Sequence, residues 1–128
     1  MRKNISSKTK WENIVGYSRA VRIGNMIEVS GTTSVDGEKI IGIGNAYEQT
    51  KFILKKIKIA LEKTGAKMED VIRTRIFVTD ISRWEEIGKA HGKFFKKIKP
   101  AATMVEVKSL ISPDLLVEIE VTAIVEST

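Results

Sequence analysis

The sequence has no cysteine and a single histidine, His91, in 128 residues. Disulfides and thiolate metal sites are thereby excluded, as is a metal site drawn from several histidines of one chain. A Ser-His-Asp arrangement would have only that one histidine to use. Prolines are limited to Pro100 and Pro113, and no linker, repeat or low-complexity stretch interrupts the chain. The longest apolar run is a few residues, too short to span a membrane. Residues 1–10 are polar and lack the apolar centre of a secretory signal. These absences predict a soluble, cytoplasmic protein with no membrane partner.

What is present fits one folded domain. Apolar residues make up 42% and charged ones 30% of the chain, a balance that argues against disorder. Residues 1–10 are expected as a flexible tail and 11–128 as a single domain. The 18 Ile, 16 Lys and 12 Glu resemble a hyperthermophile composition, though an AT-rich genome gives the same bias. The net charge of +6 raises a nucleic-acid partner. Eleven of the 16 lysines, however, fall between Lys51 and Lys99 in or just after two helical segments. Lys51, Lys55 and Lys58 stripe the outward face of the first, and Lys89, Lys93, Lys96 and Lys97 that of the second. Aromatics are not interleaved with them as base stacking would require. Solvated helix faces are the favoured reading, and no nucleic-acid partner is expected.

Periodicity gives the elements. Residues 21–30 read as two strands around Gly24-Asn25, and Asp36-Gly37 as a turn. Residues 45–64 read as a helix, with Asn45 and Glu48 as a capping box and Gly65 as its stop. Residues 71–80 read as a strand with Ile72, Thr74, Ile76 and Val78 on one face and Arg73, Arg75 and Phe77 on the other. Residues 82–97 read as a second helix, with Ser82 and Glu85 as its capping box and Pro100 beyond its end. Residues 103–108 and 115–125 are the final strands. The order β-β-α-β-α-β-β predicts an α+β fold: a mixed sheet with two helices packed on one face. The other face would carry Phe77 and Met104 beside Arg73, Arg75, Glu106, Glu118 and Glu120. That mixture suits packing against further copies of the chain; an ordinary solvated sheet face is the alternative.

Candidate chemistry is sparse. Gly42-Ile43-Gly44 lacks a third glycine, since Tyr47 stands there, so no phosphate loop is formed. His91 lies mid-helix beside the apolar stripe, where a buried or interface role outweighs catalysis, and Gly92 leaves room for close approach. Glu118 and Glu120 share a strand face and can either orient water or pair with Arg73 and Arg75.

A set of segments, in order, carries a resemblance. They are Gly16-Tyr17-Ser18-Arg19-Ala20, Gly24-Asn25, Val29-Ser30-Gly31, Gln49-Thr50, Leu61-Glu62-Lys63-Thr64-Gly65-Ala66, Asp70-Val71-Ile72-Arg73, Phe94-Phe95, Pro100-Ala101, Val105-Glu106-Val107 and Val117-Glu118-Ile119-Glu120. Together they resemble the Rid family of reactive-intermediate deaminases, also called YjgF or L-PSP endoribonuclease-like proteins, over about 16–125. The resemblance implies a chorismate-mutase-like fold and a homotrimer with small-molecule clefts between subunits. It also implies hydrolysis of 2-imino or 2-enamino acids to 2-keto acids and ammonia, with no metal or organic cofactor. Tyr17 and Glu118 match the catalytic tyrosine and glutamate, and Ser30 and Gly31 the substrate-binding pair. The family's carboxylate-binding arginine, directly after Pro-Ala, is replaced by Ala102, which Thr103 follows. An asparagine of the second helix is replaced by Gly88. The chain therefore resembles an arginine-less subgroup whose pattern includes Arg19, Trp84, His91 and 102–107. Arg19 or His91 would supply the missing positive charge. An RNA-acting protein (endoribonuclease or translation inhibitor) and a non-catalytic ligand-binding or chaperone-like trimer are the alternatives.

Overall fold

A computed structural model describes residues 1–126. The alternation at 20–32 forms an antiparallel pair, β2 (Ala20–Ile23) and β3 (Met26–Thr32), with Ile23 opposite Met26 across the predicted turn. Gly24 takes φ of 58° there, a left-handed conformation that costs glycine little. β8 (Val117–Ile124) pairs with β3, and β6 (Val71–Val78) with β8, both antiparallel. β7 (Ala101–Glu106) runs parallel to β6. A parallel neighbour needs a crossover, which α3 (Trp84–Phe95) supplies. With β1 (Arg2–Ile5) at the far edge, the six-stranded order is β1-β2-β3-β8-β6-β7.

The long α2 (Ala46–Thr64) packs beside α3 on one face. Ile53, Leu54, Ile57 and Leu61 of α2, with Ile87 and Phe95 of α3, meet Ile27, Val29, Ile76, Val78, Val117, Ile119 and Val121 of the sheet. Each such side chain contributes about 1.5–3 kcal/mol over its exposed state. Asn45 caps α2 by accepting from the Glu48 N–H at 3.0 Å, and Gly65 ends it at φ of 90°. The expected mixed α+β architecture is therefore present. α1 (Lys10–Val15) and a small hairpin of β4 (Val35–Asp36) and β5 (Lys39–Ile40) are added to it.

Several local expectations are corrected. Residues 1–10, expected as a tail, supply β1, whose register runs from Arg2 opposite Ile23 to Ile5 opposite Ala20. An edge strand pairs through backbone groups alone, so its polar side chains give no sign of it. Ile72 is exposed and Val71 buried, because a register irregularity between Val71 and Arg73 shifts the alternation. Met104 pairs with Ile76 and packs against the core, so Val105, opposite Phe77, takes its expected place on the open face. Glu106 pairs with Val78 on the helix side and accepts from the Ile81 N–H at 3.0 Å. Ser82 is not the cap of α3: Asp80 accepts from both Ser82 N–H and Ser82 Oγ, capping a 3-10 turn at Ile81–Arg83 that leads into the helix. Lys56 departs from the solvated lysine pattern. Its Nζ donates to the carbonyls of Thr33 at 3.0 Å and Val35 at 2.8 Å, tying α2 to the start of the small hairpin.

Candidate functional site

The site begins with an acid in a short helix. Glu12 of α1 is buried and accepts hydrogen bonds from Ser6 Oγ at 2.9 Å, the Ser7 N–H at 3.1 Å, Ser7 Oγ and Thr9 Oγ1. Burial alone would raise its pKa; the bonds from Ser7 and Ser6 outweigh that and hold it below the ordinary value. Its carbonyl accepts from the N–H groups of both Gly16 (2.9 Å) and Tyr17 (3.0 Å). Gly16, at φ of 90°, ends the helix and turns the chain into Tyr17.

Arg19 follows, one residue before β2. Its Nη1 donates to the Gly31 carbonyl and to Thr32 Oγ1, each at 3.0 Å, and its guanidinium carbon stands 5.7 Å from the centre of the Tyr17 ring. Ser30 Oγ donates to the Ser18 carbonyl at 2.6 Å, and the Ser30 N–H to the Arg19 carbonyl at 3.0 Å. An irregularity in β3 between Val29 and Thr32 sets Ser30 and Gly31 out of regular register with β8. That shift lays Gly31 against Glu118, so closely that a Cβ at residue 31 would come 2.0 Å from Glu118 Oε2. The approach itself requires glycine. Glu118 is half-buried, and burial pushes its carboxyl pKa up, Arg19 opposing and Glu120 adding to the shift. Its strand neighbour Glu120 pairs with Arg75 at 3.7 Å. Thus Glu120 takes the ion-pairing role and Glu118 is left without an ion pair among the described residues.

A second cluster lies on the opposite side of the sheet. His91 of α3 shares a 3.0 Å hydrogen bond through Nε2 with Thr74 Oγ1 and packs its ring 4.7 Å from that of Phe95. Burial lowers its pKa, so the ring is neutral at pH 7. Ala102 stands opposite Thr74 in register, on the side covered by the helices. Glu118, between the buried Val117 and Ile119, points to the open side.

The predicted residues therefore separate into two groups. Tyr17, Arg19, Ser30, Gly31 and Glu118 come together around β3, while His91 and Ala102 meet beside Thr74. Trp84 and Gly88 line a shallow groove on α3 with Glu85, Glu86 and Lys89, and Trp84 is 56% exposed. Thr103 belongs to neither group: it faces the open side and accepts from Arg73 Nη2 at 2.7 Å. Glu12 and Thr74 were not foreseen. A glutamate three residues after Thr9 and ahead of Gly16 carried the only available signal, that of a capping pair. Among the described residues no group of acidic or histidine side chains is arranged to hold a metal ion, and no helix is long and apolar enough to cross a membrane.

Comparison with known proteins places this geometry among relatives. The family described as Endoribonuclease L-PSP matches residues 7–125. A Mycobacterium tuberculosis protein, described as a member of the highly conserved YjgF/YER057c/UK114 family, superposes with a TM-score of 0.89. It is 50% identical, with 98% of this chain and 100% of that one covered. A RutC family protein of Pyrococcus abyssi is 35% identical over 108 residues, 84% of each chain. The 3-aminoacrylate deaminase RutC of Acinetobacter baylyi is 32% identical over 104 residues, covering 80% of this chain and 82% of that one.

Proposed function

Since the chain belongs to the Endoribonuclease L-PSP family, with YjgF and RutC proteins as its relatives, we propose that it hydrolyses small 2-imino or 2-enamino compounds to carbonyl products and ammonia. The work is done without metal or organic cofactor, in the cytoplasm, by a homotrimer. The observation that carries this reading is Glu118, set against Gly31 and within the electrostatic reach of Arg19, with its carboxyl pushed up by burial. A carboxylate with a raised pKa is a stronger base than an ordinary one, and such a group can take a proton and return it. Ionised Glu118 takes a proton from water as the oxygen bonds to the C=N carbon. The π pair moves to nitrogen, which receives that proton. The carbinolamine then passes its hydroxyl proton through Glu118 to nitrogen, the C–N bond breaks, and ammonia leaves. Tyr17 and Ser30 border the cleft and orient the ligand.

One chain holds only half of such a cleft. Glu118 and Ala102 lie on opposite faces of one sheet, so a ligand touching both requires Ala102 to come from a neighbouring copy. Exposed apolar side chains support the assembly: Val105 beside Phe77 on the open face, and Trp11, Ile14 and Val15 on α1. The excess of positive charge does not redirect the reading to RNA, because the one histidine is bonded to Thr74 and Lys56 is turned inward.

The test generates 2-aminoacrylate or 2-iminobutyrate in situ and follows keto-acid release. The wild-type protein is expected to accelerate release over buffer, and Glu118→Gln to remove about 10²- to 10⁴-fold of that acceleration. No acceleration by the wild type would remove the hydrolase reading.

A further inference from the structure

We propose that Arg19 recognises the anionic end of the ligand, taking the part that an arginine after Pro100-Ala101 would otherwise play. The ligand class, a small carboxylate, rests on the hydrolase reading; the assignment of the cation rests on the geometry of Arg19.

Two residues are candidates for the positive charge, and their surroundings differ in kind. His91 has its Nε2 committed to Thr74 and its ring packed against Phe95. Among the described residues no carboxylate pairs with it. Arg19 is held by one nitrogen only. Nη1 is fixed by two neutral acceptors, the Gly31 carbonyl and Thr32 Oγ1, and neither cancels its charge. No carboxylate lies within 4.0 Å of the guanidinium among the described residues, whose ion pairs are Arg75–Glu120 and Arg83–Glu86. Nε is buried without a hydrogen-bond partner among the described residues. The outer nitrogen, Nη2, is the donor left for a ligand. The side chain is thus a half-buried cation without an ion pair, fixed to Gly31, which lies against the Glu118 carboxyl, and to the neighbouring Thr32. A half-buried cation of this kind is better satisfied by an incoming carboxylate than by water. Placed there, a 2-imino acid would have its anionic end at Arg19 and its C=N carbon toward Glu118, with both contacts made by one chain. Arg19 would also offset the repulsion between the ligand's charge and Glu118.

The experiment measures binding, so it does not depend on turnover. 2-Oxobutyrate and its uncharged counterpart 2-oxobutanamide are titrated by NMR into wild type, Arg19→Gln, Arg19→Lys and His91→Gln. Wild type should favour the carboxylate. Arg19→Gln should weaken carboxylate binding about 10- to 100-fold and leave the amide nearly unchanged. Arg19→Lys, with the charge but not the fork, should fall between, and His91→Gln should keep the wild-type preference. A second measurement needs no variant: 2-oxobutyrate, and not the amide, should shield Arg19 from phenylglyoxal while the exposed Arg2 is still modified, as read by peptide mass spectrometry. The proposal is overturned if wild type shows no preference for the carboxylate, if the preference survives Arg19→Gln or follows His91→Gln, or if Arg19 is not shielded. A protein that binds carboxylates through Arg19 but does not turn over imines would sink the hydrolase reading alone. Turnover that is indifferent to Arg19 would sink this one alone.

Discussion

Gly31 is where the backbone and the chemistry are tied most closely. A methyl group there would meet Glu118 Oε2 at 2.0 Å and the Glu118 carboxyl carbon at 3.0 Å. The obstructing atoms are the far end of a flexible side chain, so Gly31→Ala should displace the carboxylate and spare the strand. The expected result is a melting temperature within about 4 °C of wild type, the equivalent of ~1 kcal/mol for a domain near this size, together with imine hydrolysis reduced at least as far as a misplaced general base implies, about 10²-fold. Retained turnover with a large loss of stability would contradict the close approach. His91 makes a separable prediction. Burial makes its folded ring harder to protonate than the ordinary value of 6.5. As pH falls, the unfolded chain therefore takes up a proton first. Stability from the neutral ring is complete above pH 6.5 and is lost as pH drops through the folded value. Glu118 acts with the opposite sign, its raised pKa giving stability that is present in acid and lost as pH rises. Comparing melts of wild type and His91→Gln from pH 7.5 to 5.0 isolates the histidine: the wild type should lose more stability on acidification than the variant.

At the scale of elements, the N-terminal segment is the least self-evident part of the fold. Glu12 gathers Ser6, Ser7 and Thr9, and through its carbonyl fixes Gly16 and Tyr17. Glu12→Ala keeps the carbonyl but leaves those donors without their acceptor. It should destabilise the protein by about 1–3 kcal/mol and speed hydrogen exchange through 2–17, with protection in α2 unchanged. Uniform loss of protection would mean that the segment does not open on its own. This segment also shows where sequence patterns give out. α2 was legible because Asn45, a 3.6-residue apolar stripe and Gly65 agree with one another. β1 has no such stripe, since an edge strand with exposed side chains leaves no apolar alternation. β7 misled for a different reason: with Met104 and Val105 adjacent, the inward residue is decided by its parallel register on β6, which local sequence does not contain. Tyr17, Ser30, Gly31 and Glu118 were recognisable together because their order and spacing follow one pattern. Thr74 was not, because a buried threonine on a strand reads as core until its partner, His91, is known.

For the whole molecule, the arrangement of faces turns into a question about subunits. Glu118 faces the open side of the sheet and Ala102 the helix side, so a cleft using both draws them from different chains. Closed cyclic assemblies repeat one heterologous contact at every interface, and each interface of a trimer would carry one such cleft. This gives a test by complementation. Glu118→Gln removes the proposed proton carrier, and Ala102→Glu places a bulky charged side chain where the ligand's far end would lie; each variant alone should be inactive. When the two are unfolded together in equal amounts and refolded, a cleft is intact only where an Ala102→Glu chain supplies Glu118 and its neighbour, a Glu118→Gln chain, supplies Ala102. Random assembly makes roughly one quarter of the clefts intact, and activity should return to about that fraction of wild type. A site contained in one chain would give no recovery, because every chain in the mixture carries one of the two lesions.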